Sequence, residues 1–348
     1  MIRIGVIGCG YWGPNLLRNF DSLPECSVAM VCDTNVSRLE DMKSQYPHIE
    51  VTQHSEQIIQ NPDIDAVAIC TPVHTHFQLA RQCLENHKHT LIEKPMAENV
   101  EQCEILLDIA TNHQLTLMVG HTFIYSSVVR KIKEIIDSGE LGEIQYIASR
   151  RLNLGLFQKD INVAWDLAPH DLSIILYLAH EAPVAVNCQG KAHITPGIED
   201  VTNITLDFEN GCFATVHNSW LDPNKIREMI IVGKNKMLLY DDIQPLEKIK
   251  IYDKHVVNPP YYKNYAEFQF SYHYGDTYVP YVQQKEPLQI ECSHFLDCIR
   301  TGKEPDTSGR NGLEVVRILE KCSESLRNHG ARISLNGTST PSEKQAAV

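Results

Sequence analysis

The loop Gly8-Cys9-Gly10-Tyr11-Trp12-Gly13 has the spacing G-x-G-x-x-G and stands between an apolar run, Ile2 to Ile7, and a helical pattern. In that context the glycines allow a tight turn, close approach of a pyrophosphate and close packing of the helix, whose N-terminus attracts negative charge. Tyr11 and Trp12 complete the wall of the same cofactor loop. Asp33 closes the second strand, 20 residues past Gly13, where a carboxylate binds both ribose hydroxyls of NAD and repels a 2′-phosphate. NAD is therefore the expected cofactor. Arg38, on the following helix, is the residue that could turn toward a 2′-phosphate instead.

A second set of residues suits proton transfer. Lys94 falls at the end of a strand-like run, and the carboxyl end of a parallel strand is where open α/β sheets bind ligands. Its three donors can hold a hydroxyl or polarise a carbonyl. Asp166 and His170 are four apart and so share one face of a helix. Pro169 is tolerated if this is the helix's first turn, which puts Asp166 at or beside the N-cap. The Asp166 carboxylate would then orient the His170 imidazole, and His170 would take a hydroxyl proton as hydride leaves carbon.

These residues need a scaffold to bring them together. Residues 1–122 alternate β-type runs (Ile2 to Ile7, Val28 to Cys32, Ala66 to Cys70, Thr90 to Glu93, Leu115 to Val119) with helical patterns. Strands apolar on both faces between amphipathic helices predict a doubly wound parallel sheet, a Rossmann-type domain. From 123 to 330 the pattern changes. A long strand-like run, Ile144 to Leu154, and a short helix from about Leu167 to Leu178 lead into consecutive strands with hairpin signals at Glu209-Asn210-Gly211 and Gly233-Lys234-Asn235. That predicts an α+β domain with a large, mostly antiparallel open sheet. Eight of the 14 tyrosines fall in residues 252 to 281, as sheet-edge packing or as a subunit interface, where tyrosine is enriched. Residues 331–348 read as a polar tail, disordered from Ser339 to Val348.

Composition narrows the function. With 43% hydrophobic and 22% charged residues in 348, the chain is ordinary globular material for two domains, and disorder or fibrous repeats are excluded. Thirty-one Lys plus Arg against 44 Asp plus Glu give a charge of −13, which repels nucleic acid and anionic lipid but leaves room for a local basic pocket. No apolar run approaches the ~20 residues that span a bilayer, and Met1-Ile2-Arg3-Ile4 enters a strand directly, so the expectation is a cytoplasmic protein. The 11 cysteines are scattered and read as reduced thiols. His48, His54, His87, His89 and His113 read as loop or helix-end residues. No histidine pair has zinc spacing, so no metal is expected.

Glu93-Lys94-Pro95-Met96-Ala97 resembles the Glu-Lys-Pro signature of the Gfo/Idh/MocA family of NAD(P)-dependent sugar oxidoreductases. Thr71-Pro72-Val73-His74-Thr75-His76 resembles that family's Thr-Pro-x-x-x-His segment by the nicotinamide ribose, and Asp166-Leu167-Ala168-Pro169-His170-Asp171 its Asp-x-x-x-His motif. The likeness runs to about residue 329. It implies an active site at the seam of the two domains, a Lys-Pro bond that is often cis, and a sheet face that forms homodimers or homotetramers. It adds Thr71, Pro72, His76, Glu93 and Lys94 to the cofactor contacts, with a buried structural role as the alternative for His76. Gly120-His121-Thr122-Phe123 and Arg150-Arg151-Leu152-Asn153-Leu154-Gly155 look like members that act on nucleotide sugars, similar to the 3-dehydrogenases of UDP-N-acetylglucosamine or its uronate. The expected substrate contacts are Lys94, Arg151, Asn153, Trp165 and His170. Adjacent arginines on a strand face opposite ways, so only one of Arg150 and Arg151 can meet a substrate, and a structural ion pair is the other possibility. Where the family often has Gly-Gly before the Asp, this chain has Val163-Ala164-Trp165, and Trp165 could stack on a sugar ring or pack. The implied activity is oxidation of a secondary alcohol on a pyranose ring, at C3 of a nucleotide-linked sugar. The alternatives are an inositol or free-sugar dehydrogenase, a 3-ketosugar reductase, and a non-catalytic NAD-binding sensor.

Overall fold

Strands that are apolar on both faces need cover on both faces, and the first half of the chain supplies it. The computed structural model describes residues 1–179, 181–257 and 271–335. Along its first half run β1 (Ile2–Ile7), α1 (Gly13–Asp21), β2 (Cys26–Cys32), α2 (Val36–Gln45), β3 (Glu50–Thr52), α3 (Glu56–Ile59), β4 (Ala66–Ile69), α4 (Val73–Glu85), β5 (His89–Glu93), α5 (Val100–Asn112) and β6 (Leu117–Gly120). The strands lie in the order β3-β2-β1-β4-β5-β6 and every neighbouring pair is parallel. The order reverses between β1 and β4, so their carboxyl ends flank a crevice. Gly8 and Thr71 stand at its two sides. Ile4, Val6, Ala66, Val67, Ala68 and Ile69 are fully buried and fix this centre of the sheet.

A 3₁₀ turn (Thr122–Tyr125) leads to α6 (Ser127–Asp137), β7 (Ile144–Leu154), α7 (Val163–Leu178), β8 (Ala185–Lys191), β9 (Val201–Asp207), β10 (Phe213–Ser219), β11 (Leu221–Gly233), β12 (Met237–Asp241), β13 (Ile249–Val257), β14 (Ser271–Tyr278), α8 (Pro287–Thr301), α9 (Gly309–Arg327) and β15 (Ile333–Ser334). The second sheet has the order β14-β13-β12-β11-β7-β10-β9-β8-β15. Its β7–β10 pair is parallel and the rest of its neighbouring pairs are antiparallel. Helix α7 packs on β7, β9 and β10. Ile147, Ala214 and Val216 are buried in the core, while the stacked rings of Tyr146 and Phe213 belong to the opposite, open face.

The structure departs from the sequence reading at several points. Helix α7 begins at Val163 instead of Leu167, because the Asn162 side chain caps it by accepting from Trp165 N at 3.2 Å. Pro169 therefore sits in the second turn and Asp166 inside the helix. Helix α9 starts at Gly309, ahead of the helical pattern that the sequence shows from Gly312 to Asn328, on a capping box between Ser308 and Asn311, and β3 and α3 are too short to carry a clear periodicity. Residues 252–257 and 271–278 are strands, while Tyr261, Tyr262, Tyr265 and the tail from Ser339 to Val348 lie outside the described residues. The sheets change at residue 122, but the packing does not divide there. Helix α8 returns to α1, α9 packs on α5, and Val119 N donates to Thr307 O at 2.8 Å. All 11 cysteines are free. Among the described residues no helix is long and apolar enough to cross a membrane.

Candidate active site

The loop after β1 can only be made by its glycines. Gly8 has φ +100°, and a Cβ on it would lie 2.8 Å from the Cys70 carbonyl; a Cβ on Gly13 would lie 1.9 Å from Gly8 O. No side chain caps α1, so its free N–H groups are left to an anion. The resulting cleft, about 670 Å³, is lined by Gly8, Gly10, Tyr11, Trp12, Asp33 and Thr71, with Pro72 and Arg38 also at its wall. Bare backbone, an uncapped helix end and a carboxylate suit a dinucleotide. Asp33 is buried: Oδ2 accepts from Cys9 N at 2.6 Å and Oδ1 from Asn35 N at 2.8 Å. The same carboxylate thus ties the glycine loop to the end of β2. Arg38, on α2 and half exposed, has Nη1 3.6 Å from Asp33 Oδ2, beside the carboxylate at the end of β2.

His76 does not line that cleft. Its ring nitrogens lie 2.8 Å from Thr71 O and 2.9 Å from Pro95 O, so it joins the cofactor-side turn to the peptide after Lys94. Burial lowers its pKa, opposed by these carbonyls. The Lys94-Pro95 bond is cis. Glu93 is buried behind Lys94, accepts from Lys94 N at 3.2 Å, and has its pKa pushed up to about 7 by desolvation.

Lys94 reaches from the end of β5 to α7. Nζ donates to Asp166 O at 2.9 Å and lies 3.9 Å from Asp166 Oδ1. Pro169 has no N–H for the Trp165 carbonyl, which loosens the helix here, and the ammonium satisfies the next carbonyl along. Burial lowers the Lys94 pKa, with Asp166 the strongest opposing group. Asp166 Oδ2 accepts from Trp220 Nε1 at 3.0 Å. The expected role of Asp166 was to orient His170, whereas its carboxylate is engaged by Trp220 and Lys94. The two share a helix face, but Lys94 and Trp220 arrive from other elements and engage the carboxylate. His170 Nδ1 is buried without a hydrogen-bond partner, which leaves Nε2 for a substrate. Burial, then the charges of Lys94 and Arg151, hold the His170 pKa well below its ordinary value, which favours the neutral ring.

What positions His170 is a stack. Its ring meets Phe123 edge-on at 5.0 Å, and the Arg151 guanidinium lies 4.8 Å over the other ring of that pair, Phe123. Arg151 is bound twice by Asp171, at 2.7 and 3.1 Å, and Ser149 donates to Asp171 at 2.8 Å. Of the two adjacent arginines, Arg151 faces inward into this buried pair and Arg150 outward to Glu228. Asn153 Oδ1 accepts from Arg227 at 2.7 Å, and Trp165 Nε1 donates to Ser323 at 2.9 Å. Sequence reasoning missed Asp171, Trp220 and Arg227. Asp171 follows His170 directly, and a carboxylate adjacent to the motif was the available signal. It also gave no role to His121, whose ring nitrogens are both buried and unpartnered, with the pKa pushed down to about 3 by burial and then by Lys94.

A cleft for a dinucleotide beside a lysine and a neutral histidine is the equipment of a dehydrogenase, and family comparison agrees. A model of the GFO_IDH_MocA oxidoreductase family with an NAD-binding Rossmann fold matches residues 2–121, and one of the GFO/IDH/MocA C-terminal domain matches residues 129–239. The chain belongs to the GFO/IDH/MocA oxidoreductases. An uncharacterized oxidoreductase of Bacillus subtilis, YrbE, is 26% identical over 97% of both chains. The myo-inositol 2-dehydrogenase of Thermotoga maritima is 23% identical over 93% of this chain and 96% of its own. The UDP-N-acetylglucosamine 3-dehydrogenase of Acidithiobacillus ferrooxidans is 27% identical over 69% of this chain and 74% of its own. Its solved structure superposes with a TM-score of 0.78, at 23% identity, covering 94% of this chain and 98% of that one. The two-sheet architecture is therefore the family's, and the NAD(P)-binding domain is the first of the two.

Proposed function

We propose that this GFO/IDH/MocA chain uses NAD to interconvert a secondary alcohol and a ketone on a pyranose ring, at C3 of a nucleotide-linked sugar. The observation that carries the reading is Lys94, at the end of β5, with Nζ 2.9 Å from Asp166 O and 3.9 Å from the Asp166 carboxylate, and His170 one turn further along α7. NAD, when bound, supplies a hydride acceptor. Lys94 donates to the reacting oxygen and favours the negative charge that develops on it. His170 takes the hydroxyl proton. The C–H electron pair leaves as hydride, the O–H pair becomes the second bond of the carbonyl, and the proton ends on His170. A histidine kept neutral by burial supports the oxidative direction, since reduction of a 3-ketosugar would need it to arrive protonated. NAD over NADP is supported by the buried Asp33 at the end of β2, a carboxylate that would accept from the ribose hydroxyls and repel a 2′-phosphate.

The nucleotide-sugar substrate is supported by the resemblance of the β6 and β7 segments and by the likeness to the UDP-N-acetylglucosamine enzyme. A cyclitol or free sugar is the second reading, favoured by the likeness to a myo-inositol 2-dehydrogenase along 93% of the chain. The open face of the second sheet, with the Tyr146–Phe213 stack and Phe213 exposed, supports a homodimer or homotetramer. The test is nicotinamide absorbance with purified protein, NAD and a panel of UDP-, dTDP- and GDP-sugars beside glucose and inositol. Reduction with one nucleotide sugar and not with the free sugars is expected. Reduction by free polyols alone moves the assignment to the second reading, and silence with NAD but turnover of 3-ketosugars with NADH or NADPH reverses the direction.

A further inference from the structure

We propose that the β13–β14 hairpin binds a divalent transition ion, zinc or a chemical equivalent, through Asp253, His255 and His273. Asp253 and His255 are two apart on β13 and share one face, and His273 lies directly opposite His255 on β14. One donor atom from each lies within 4.8 Å of the other two. His273 Nε2 and Asp253 Oδ2 are already 3.1 Å apart, close to the ~3.3 Å between neighbouring donors around tetrahedral zinc with bonds of ~2.0 Å. Sequence spacing showed no such pattern because the ligands come from two strands.

Two features of the hairpin fit this arrangement. Its register slips between Tyr252 and Lys254, and Gly275 stands opposite the slip. A Cβ on Gly275 would lie 2.2 Å from Asp253 Oδ2, so the missing side chain is what lets the carboxylate lie across β14 and reach His273. His255 Nδ1 is buried and makes no hydrogen bond. It is a donor atom that the protein itself does not use, and such atoms call for an explanation. The two imidazoles stack with centroids 4.5 Å apart and planes 27° from parallel, which keeps their nitrogens side by side. Two imidazoles and one carboxylate suit zinc, copper or nickel better than calcium or magnesium. Strand β14 is at the sheet edge and β13 is three strands from β7, about 14 Å at strand spacing. The ion therefore ties the edge hairpin together and takes no part in hydride transfer.

The experiment uses tag-free full-length protein, stripped with a chelator and titrated with Co²⁺, read by its visible d–d absorption, followed by displacement with Zn²⁺ and metal analysis. Expected are one equivalent per chain and a tetrahedral cobalt spectrum. His255→Ala and His273→Ala should each abolish that equivalent while circular dichroism and NAD binding stay as in the wild type. Gly275→Ala, which leaves all three ligands in place and displaces the carboxylate, should weaken binding about tenfold or more, the scale known for groups that only orient a ligand. No uptake of either ion by the wild type at about 100 µM, an affinity far below that of protein zinc sites, overturns the proposal. So does an equivalent that survives the two histidine substitutions combined.

Discussion

Replacing Asp166 with Asn removes a charge and little else. The side chain keeps its shape, the backbone carbonyl that Lys94 uses at 2.9 Å is untouched, and an amide oxygen can still accept from Trp220. What is lost is a carboxylate 3.9 Å from Lys94 Nζ, with the two side chains only 14% and 25% exposed. At an effective dielectric of about 20 such a pair is worth about 4 kcal/mol. Burial already lowers the Lys94 pKa, and Asp166 is the strongest group opposing it. Without the carboxylate the ammonium gives up its proton more readily, so the alkaline limb of kcat/KM moves to lower pH. Above the displaced limb the loss is bounded by those 4 kcal/mol, at most about 10³-fold. The acid limb, assigned to His170 in the proposed mechanism, stays in place because the Asp166 carboxylate is engaged by Lys94 and Trp220. The assay is a pH profile of NADH formation with the sugar the substrate panel identifies. An alkaline limb that does not move refutes the pairing of Asp166 with Lys94. If the acid limb falls to lower pH instead, the carboxylate was supporting the imidazolium after all.

Three further outcomes follow from the same geometry. His170→Ala should lower kcat/KM by about 10²–10⁴ if it is the proton acceptor, with NAD affinity, read by tryptophan fluorescence, unchanged; near-normal turnover removes it from the mechanism. Asp33→Ala should weaken NAD by about 10- to 100-fold, the scale of hydrogen bonds to a charged group, and NADP much less, whereas Arg38→Ala should weaken NADP more than NAD; tighter binding of NADP than NAD by the wild type overturns the cofactor assignment. Glu93, raised from 4.5 to about 7 by burial, keeps in the folded state a proton that the unfolded chain releases. Folding stability should therefore decline as pH rises from about 4.5 to about 7, by about 3 kcal/mol, and level off above. Urea unfolding at about pH 5 and about pH 8 should show that slope in the wild type and not in Glu93→Gln, and a slope that persists in the variant assigns it to another group.

The glycine loop, Asp33 and Lys94 were legible because each is tied by short spacing to a strand end, and strand ends of a parallel sheet are fixed in space once the alternation is recognised. The bounds of β1 and β7 were read without error for the same reason. The start of α7 was not. A rule about proline in the first turn was applied at Pro169, while Asn162, with its Oδ1 on Trp165 N and its Nδ2 on Glu199, already capped the helix. The partners of Asp166 were not legible for another reason. A neighbour one turn away is visible in sequence, whereas Lys94 and Trp220 lie 72 and 54 residues off. Alternation said that Arg150 and Arg151 face opposite ways, and it could not say that Asp171 waits on the inner side. The ligands on β13 and β14 escaped notice because cross-strand register is a property of the folded sheet.

The site gathers cations around His170 in a chain whose formal charge is −13. Lys94, Arg151 and Arg227 all act to depress the His170 pKa, while the carboxylates that act on them are Asp166, Asp171, Asp242 and Glu93, the last with its pKa raised to about 7. His121 and His170 are kept uncharged by burial and by those same cations. In the proposed mechanism the Lys94 ammonium at the reacting oxygen favours the alkoxide that forms as a hydroxyl proton departs. The same charge fits a proposed proton acceptor with no carboxylate on its ring: an anion at Nδ1, which has no partner, would raise its pKa and weaken the field of Lys94 at the reacting oxygen.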